Sequence, residues 1–159
     1  MDIAREAAHI MVQYLRQPSL NIDYDPSCSI FSTEPRRSCT ILELGSGNGF
    51  VGINLARQLH GSRQVGDLIV LTDLPDVCSL LEENVALELR ELGTSHEVGQ
   101  KTPDIRVQPL SWGVSGYATK LLSFLQDRSR DSTCDAFEVS STFTHIICSD
   151  LVSIHVLEV

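Results

Sequence analysis

The sequence predicts an α/β protein, an open and doubly wound parallel sheet with helices on both faces. Three observations carry this. Four short, largely apolar runs, at 39–44, 67–73, 105–110 and 143–148, alternate with segments of helical periodicity. Strands covered on both faces read as such runs, and β-α alternation implies parallel strands joined by right-handed crossovers. Finally, the polar features that stand out lie at the carboxyl ends of the runs, where ligands bind on open α/β sheets.

The elements follow in order. Ile3, Ala7, Ile10, Met11, Tyr14 and Leu15 share one helical face, with Asp2 as a cap and Pro18 beyond the end. From Ser19 to Ser38 the chain is rich in serine, proline and aspartate and reads as a loop. Strand 1, Cys39 to Leu44, runs into a glycine turn. The next helix carries Phe50, Val51, Ile53, Leu55, Ala56 and Leu59 and ends near Gly61. Strand 2 is Asp67 to Asp73. Pro75 opens a helix at its favoured first position, with Val77, Leu80, Leu81, Val85, Leu89 and Leu92 as the apolar stripe and Gly93 as the stop. After a polar loop, strand 3 covers Ile105 to Leu110 and leads into the turn SWG. A short helix, Tyr117 to Gln126, presents Leu121, Leu122, Phe124 and Leu125. Strand 4, Phe143 to Cys148, ends at Ser149 and Asp150.

With 159 residues and 42 % apolar content, one domain with its own core is expected. A net charge of −9 argues against nucleic acid or an anionic membrane as the main partner. Cys28, Cys39, Cys78, Cys134 and Cys148 form no CxxC pair, which indicates free thiols in a reducing compartment. The N-terminus lacks a signal peptide's apolar core, and no apolar run approaches a membrane span, so cytoplasm or nucleus is expected. The five histidines show no metal-ligand spacing, and no metal is expected.

The chemistry concentrates in ILELGSGNGF, residues 41–50. Gly45 permits a tight turn, Gly47 lets the backbone approach a ligand, and Gly49 lets the helix start close to the sheet. A dinucleotide fingerprint would need glycine at position 50, where Phe50 stands, so the pattern suits a nucleoside-type ligand better than a pyrophosphate. Asp73 can accept from two ribose hydroxyls or cap the helix that follows. Trp112 can pack along an adenine face or serve as a helix-packing aromatic. Asp150 can hold an amine or simply end strand 4 in a turn.

Glu43-Leu-Gly-Ser-Gly-Asn-Gly, LTDLPDV, PLSWG and ICSDLV, in this order and spacing, resemble the class I S-adenosylmethionine-dependent methyltransferases. Within them the chain is most similar to the protein-lysine methyltransferases related to nicotinamide N-methyltransferase, over about residues 3–152. The resemblance implies a Rossmann-like fold and S-adenosyl-L-methionine as the cofactor. It places Glu43 and the turn Gly45, Ser46, Gly47, Asn48 and Gly49 at the methionine moiety. Asp73 falls at the ribose, Leu74 beside the adenine, and Trp112 in the adenine pocket. Ser149 and Asp150 border the cofactor and the incoming amine, Asp150 orienting it. The implied substrate is a lysine on a protein partner of the translation-factor or chaperone kind.

The family pattern continues from the acid into an aromatic, whereas Asp150 is followed here by Leu151, Val152, Ser153 and IHVLEV. About four of the usual seven strands are expected, in the order 3-2-1-4, with strand 4 as an exposed edge. The expected organisation is a single partial domain, 1–159. It holds an N-terminal helix in 1–18, a cofactor-binding core at 39–152 and a divergent tail at 153–159. The expectation is a shortened product. It is either an active protein N-methyltransferase or, alternatively, a non-catalytic module that binds the cofactor.

Overall fold

The computed structural model describes residues 3–16, 28–31, 38–60, 66–94, 102–131 and 142–149. Helix α1 (Ile3–Tyr14) is followed by a 3₁₀ turn at Ser29–Phe31, within the stretch read as a loop. Then come β1 (Thr40–Leu44), α2 (Phe50–Leu59), β2 (Leu68–Asp73), α3 (Pro75–Thr94), β3 (Asp104–Pro109), α4 (Ser115–Asp131) and β4 (His145–Ile147). The strands form one parallel sheet in the order β3-β2-β1-β4, as the sequence predicts.

Register explains why the runs are apolar throughout. Ile41 pairs with Ile69, which pairs with Ile105, and all three point to one face. There they meet Val12 of α1 and Leu15 just after it, Val51, Leu55 and Leu59 of α2, and Leu81 and Val85 of α3. The alternate positions Leu42, Leu68 and Val70 point to the other face and pack against Leu121 and Leu125 of α4. Three helices therefore cover one face and a single helix covers the other. Glu43 follows Leu42 and so shares the three-helix face with Leu71 and Ile147, its register partners. That placement decides its chemistry.

Several boundaries and faces differ from the sequence reading. Helix α3 runs through Gly93 to Thr94, and α4 extends beyond 117–126 at both ends. Strand β4 keeps only His145–Ile147, which pair with Ile41 to Glu43 of β1. Ile10, Leu80, Leu89 and Leu122 are exposed, while Val12, Cys78 and Glu88 are buried. Apolar periodicity fixes a stripe only to within a neighbouring residue, and the contact with the sheet chooses among them. The polar segments 95–101 and 132–141, the cap Asp2 and the tail 153–159 lie outside the described residues.

Glu88 sits in the α2–α3 seam at 5 % exposure and is held by a fork. Arg57 Nε donates to Oε1 and Nη2 to Oε2, each at 2.6 Å. Glu88 raises the Arg57 guanidinium above its ordinary value. Arg57→Ala leaves a largely buried carboxylate unpaired. The expected cost is about 1–3 kcal/mol in urea unfolding, discounted because Arg57 is half exposed. Arg57→Met combined with Glu88→Leu should recover most of that loss, since the seam then packs without a charge.

Candidate active site

The glycine turn leaves β1 at Leu44 and enters α2 at Phe50. Gly45, Gly47 and Gly49 have φ of 66°, 55° and 84°, the left-handed region that disfavours a Cβ. The intervening polar residues anchor the turn to its surroundings. Ser46 N–H donates to Thr72 O at 2.9 Å, and Thr72 N–H returns to Ser46 Oγ at 3.1 Å. Thr72 Oγ1 donates to Glu43 O at 2.7 Å. Asn48 Oδ1 accepts from Phe50 N–H, and its carbonyl accepts from Asn84 Nδ2 of α3. A Cβ on Gly49 would come within 2.7 Å of Leu81 Cδ1, so the close approach there is to α3 as well as to the turn's own helix. Gly47 faces open space, with nothing within 4 Å of its Cβ position.

Beside this turn lies a cavity of about 360 Å³, lined by Glu43, Gly45, Ser46, Gly47, Asn48 and Ser149. Ala8, His9, Phe50 and Val51 complete its wall. Glu43 is 1 % exposed, and its Oε2 has no hydrogen-bond partner. Burial pushes its carboxyl from 4.5 up to about 7; Ser46 and the Gly52 backbone pull it down, and the Asp73 charge pushes it further up. A buried carboxyl with one oxygen unpartnered can pair with a cation. The ammonium of an amino-acid moiety would fill that role, and the open Gly47 backbone leaves room for it.

Asp73 ends β2, where its carboxylate joins the turn to the next helix. Oδ2 accepts from Gly47 N–H at 2.6 Å, and Oδ1 accepts from Leu74 N–H at 2.7 Å. A carboxylate has about four acceptor positions, so two stay open for hydroxyl donors. At the start of α3, Val77 N–H bonds to Leu74 O, and Asp73 Oδ1 bonds Leu74 N–H, outside the helix. Past Asp73, a shallow concavity of about 520 Å³ is lined by Leu44, Leu110, Trp112, Gly113, Val114 and Ala118. Trp112 is 57 % exposed and Leu74 50 %, so neither serves the core.

The structure thus brings the turn, Glu43 and Ser149 together in one cavity and places Trp112 in another, with Asp73 bonded to the turn. Asp150 lies outside the described residues. Sequence reasoning missed the contribution of α1. Ala8 and His9 reach the cavity because α1 packs along α2, a long-range contact that periodicity does not encode. Among the described residues, no group of three or more His, Cys, Asp and Glu could hold a metal ion. No helix among them is long and apolar enough to cross a membrane.

A glycine turn after the first of several parallel strands, a buried acid two residues before it and an acid ending the second strand define a site class. The family model described as lysine methyltransferase matches residues 3–123. The chain belongs to the lysine methyltransferase family. The match begins at α1 and ends inside α4, so it covers every element that lines the two concavities except Ser149 beyond β4. Among curated proteins, none matches the sequence of this family member.

Proposed function

We propose that this lysine methyltransferase family member binds S-adenosyl-L-methionine along the carboxyl rim of its sheet and transfers the methyl group to a protein lysine. The observation that carries the reading is Glu43, which lines the cavity at 1 % exposure with its Oε2 buried and unpartnered. The Glu43 carboxylate takes the ammonium of the methionine end, and the turn from Gly45 to Gly49, with Ser46 and Asn48, lies along that moiety. The open acceptor positions of Asp73 hold the ribose. Leu74 and Trp112 offer apolar surface to the adenine, and the concavity past Leu44 accommodates it.

Bound there, the cofactor would supply an electrophilic sulfonium methyl for an amine lone pair, with the C–S bonding pair left on sulfur. The chain's own task is positioning. Ser149 lines the cavity at the end of β4, and Asp150, next in sequence, captures and orients the lysine ammonium. A carboxylate favours the charged amine, so the proton leaves to water before attack, at a cost of roughly 4–5 kcal/mol near neutral pH. A translation factor or chaperone surface carrying an accessible lysine is the proposed partner class, in the cytoplasm or nucleus.

Titration calorimetry with S-adenosylhomocysteine and radiolabelled methyl transfer in cell lysate test the proposal together. Binding with incorporation into a discrete band is expected; absence of binding overturns it. Asp73→Ala should weaken S-adenosylhomocysteine binding by about tenfold or more, since a lost hydrogen bond to a charged group costs about 1.5–3 kcal/mol. Unchanged affinity removes the ribose assignment. One observation favours a second reading, cofactor binding without transfer. Ile146 in the edge strand β4 is 63 % exposed, so the sheet next to the proposed amine entry is bare on the α4 face. Binding with no incorporation supports that reading.

A further inference from the structure

We infer that His9 of α1 recognises the carboxylate of the cofactor's amino-acid end, which makes α1 part of the binding site and a determinant of ligand choice. The inference rests on the donor reading above and adds to it. An amino-acid moiety carries two opposite charges a few ångströms apart. Glu43, which lines the cavity, answers the positive one. A partner for the negative one must come from the same wall. Of the side chains that line the cavity, His9 is the one able to carry positive charge.

Ser46 is committed elsewhere, and the remaining polar side chains, Asn48 and Ser149, offer only neutral donors. Ser46 Oγ accepts from Thr72 N–H and lies 3.5 Å from Glu43 O. Asn48 Oδ1 accepts from Phe50 N–H. His9 is oriented by packing, its ring edge-on to Phe50 with centroids 4.8 Å apart and planes at 76°. It lines the cavity and is exposed to solvent. An imidazole donates an N–H in either protonation state, and its cationic form adds the charge that a neutral hydroxyl or amide lacks. The two groups also lie on different elements, β1 and α1, so the pair forms only when α1 is docked on α2.

Three ligands separate the contributions: S-adenosylhomocysteine, decarboxylated S-adenosylmethionine and 5′-methylthioadenosine. The first carries both charges, the second keeps the ammonium alone, and the third has neither. Their affinities are to be measured by calorimetry on the full chain, on His9→Phe and on His9→Gln. His9→Phe keeps an aromatic ring against Phe50 and removes the donor; His9→Gln keeps a donor. The expected result is an approximately tenfold loss of S-adenosylhomocysteine affinity in His9→Phe, the low end for a bond to a charged group. Decarboxylated S-adenosylmethionine and 5′-methylthioadenosine should be unaffected, and His9→Gln should recover most of the loss. Equal losses for all three ligands, or no loss for S-adenosylhomocysteine, overturn the assignment of His9 and leave the donor reading standing. A wild-type chain that binds none of the three overturns both.

Discussion

Gly52→Ala is expected to lower the melting temperature by about 2–12 °C, from an overpacking cost of about 1–3 kcal/mol. The residue lies in the first turn of α2, directly over the sheet. A methyl group there would run into Leu71 Cδ2 of β2 and come within 2.5 Å of Glu43 Oε2. Both neighbours are buried, Leu71 at 0 % and Glu43 at 1 % exposure, so neither can turn aside into solvent. Helix α2 must lift or Glu43 must move, and either change opens the cavity wall. The substitution should therefore weaken S-adenosylhomocysteine binding as well as stability. Gly116→Ala is the control. It sits in the first turn of α4 with nothing within 4 Å of its Cβ position, and the gain in helix propensity should be at most about 1 kcal/mol. Equal melting temperatures for Gly52→Ala and the wild type would mean that α2 does not rest on β2 through this glycine.

Glu43→Gln should make the ligand-free protein more stable at pH 8 while weakening cofactor binding. Burial raises the carboxyl from 4.5 to about 7 in the folded chain. Between these values the folded state holds a proton that the unfolded state has released. This group's contribution therefore favours folding fully at low pH and is lost as pH rises through about 7. The full difference amounts to about 3 kcal/mol at most. Urea unfolding at pH 5 and pH 8 reads it. The gap between Glu43→Gln and wild type should be small at pH 5 and reach its full size at pH 8. A gap that does not change with pH would show that Glu43 is ionised throughout.

The same residue ties ligand binding to protons. An ammonium placed against Oε2 favours the carboxylate, so binding near pH 6 should release a proton. Affinity for S-adenosylhomocysteine should therefore rise between pH 5.5 and 7.5 in the wild type. In Glu43→Gln it should be weaker and flat over that range. Calorimetry in buffers of different ionisation enthalpy measures the released proton directly.

The fold was legible because its signals are local. Continuous apolar runs at 40–44 and 68–73 are buried on both faces, as their composition requires. Pro75 opens α3, and the glycines after β1 hold the positive φ that the turn needs. Strand order also followed, since right-handed crossovers between parallel strands leave few arrangements. Helix faces were less legible. In α3 the buried stripe includes Cys78 and Glu88 and leaves out Leu80 and Leu89. Glu88 is tolerated inside only because Arg57, 31 positions earlier, reaches across from α2.

The candidate site divides in the same way. Glycines at alternate positions, an acid two residues before them and an acid closing the second strand are properties of the sequence alone, because backbone conformation and strand ends are set locally. What the tertiary structure decided is the state of those groups. Glu43 is a carboxyl raised to about 7 because α2 buries it beneath Gly52, and Asp73 has half its acceptor positions taken by Gly47 and Leu74. His9 enters the wall because α1 docks on α2. Burial and proximity between distant segments set electrostatics and shape, and neither exists until the chain has packed.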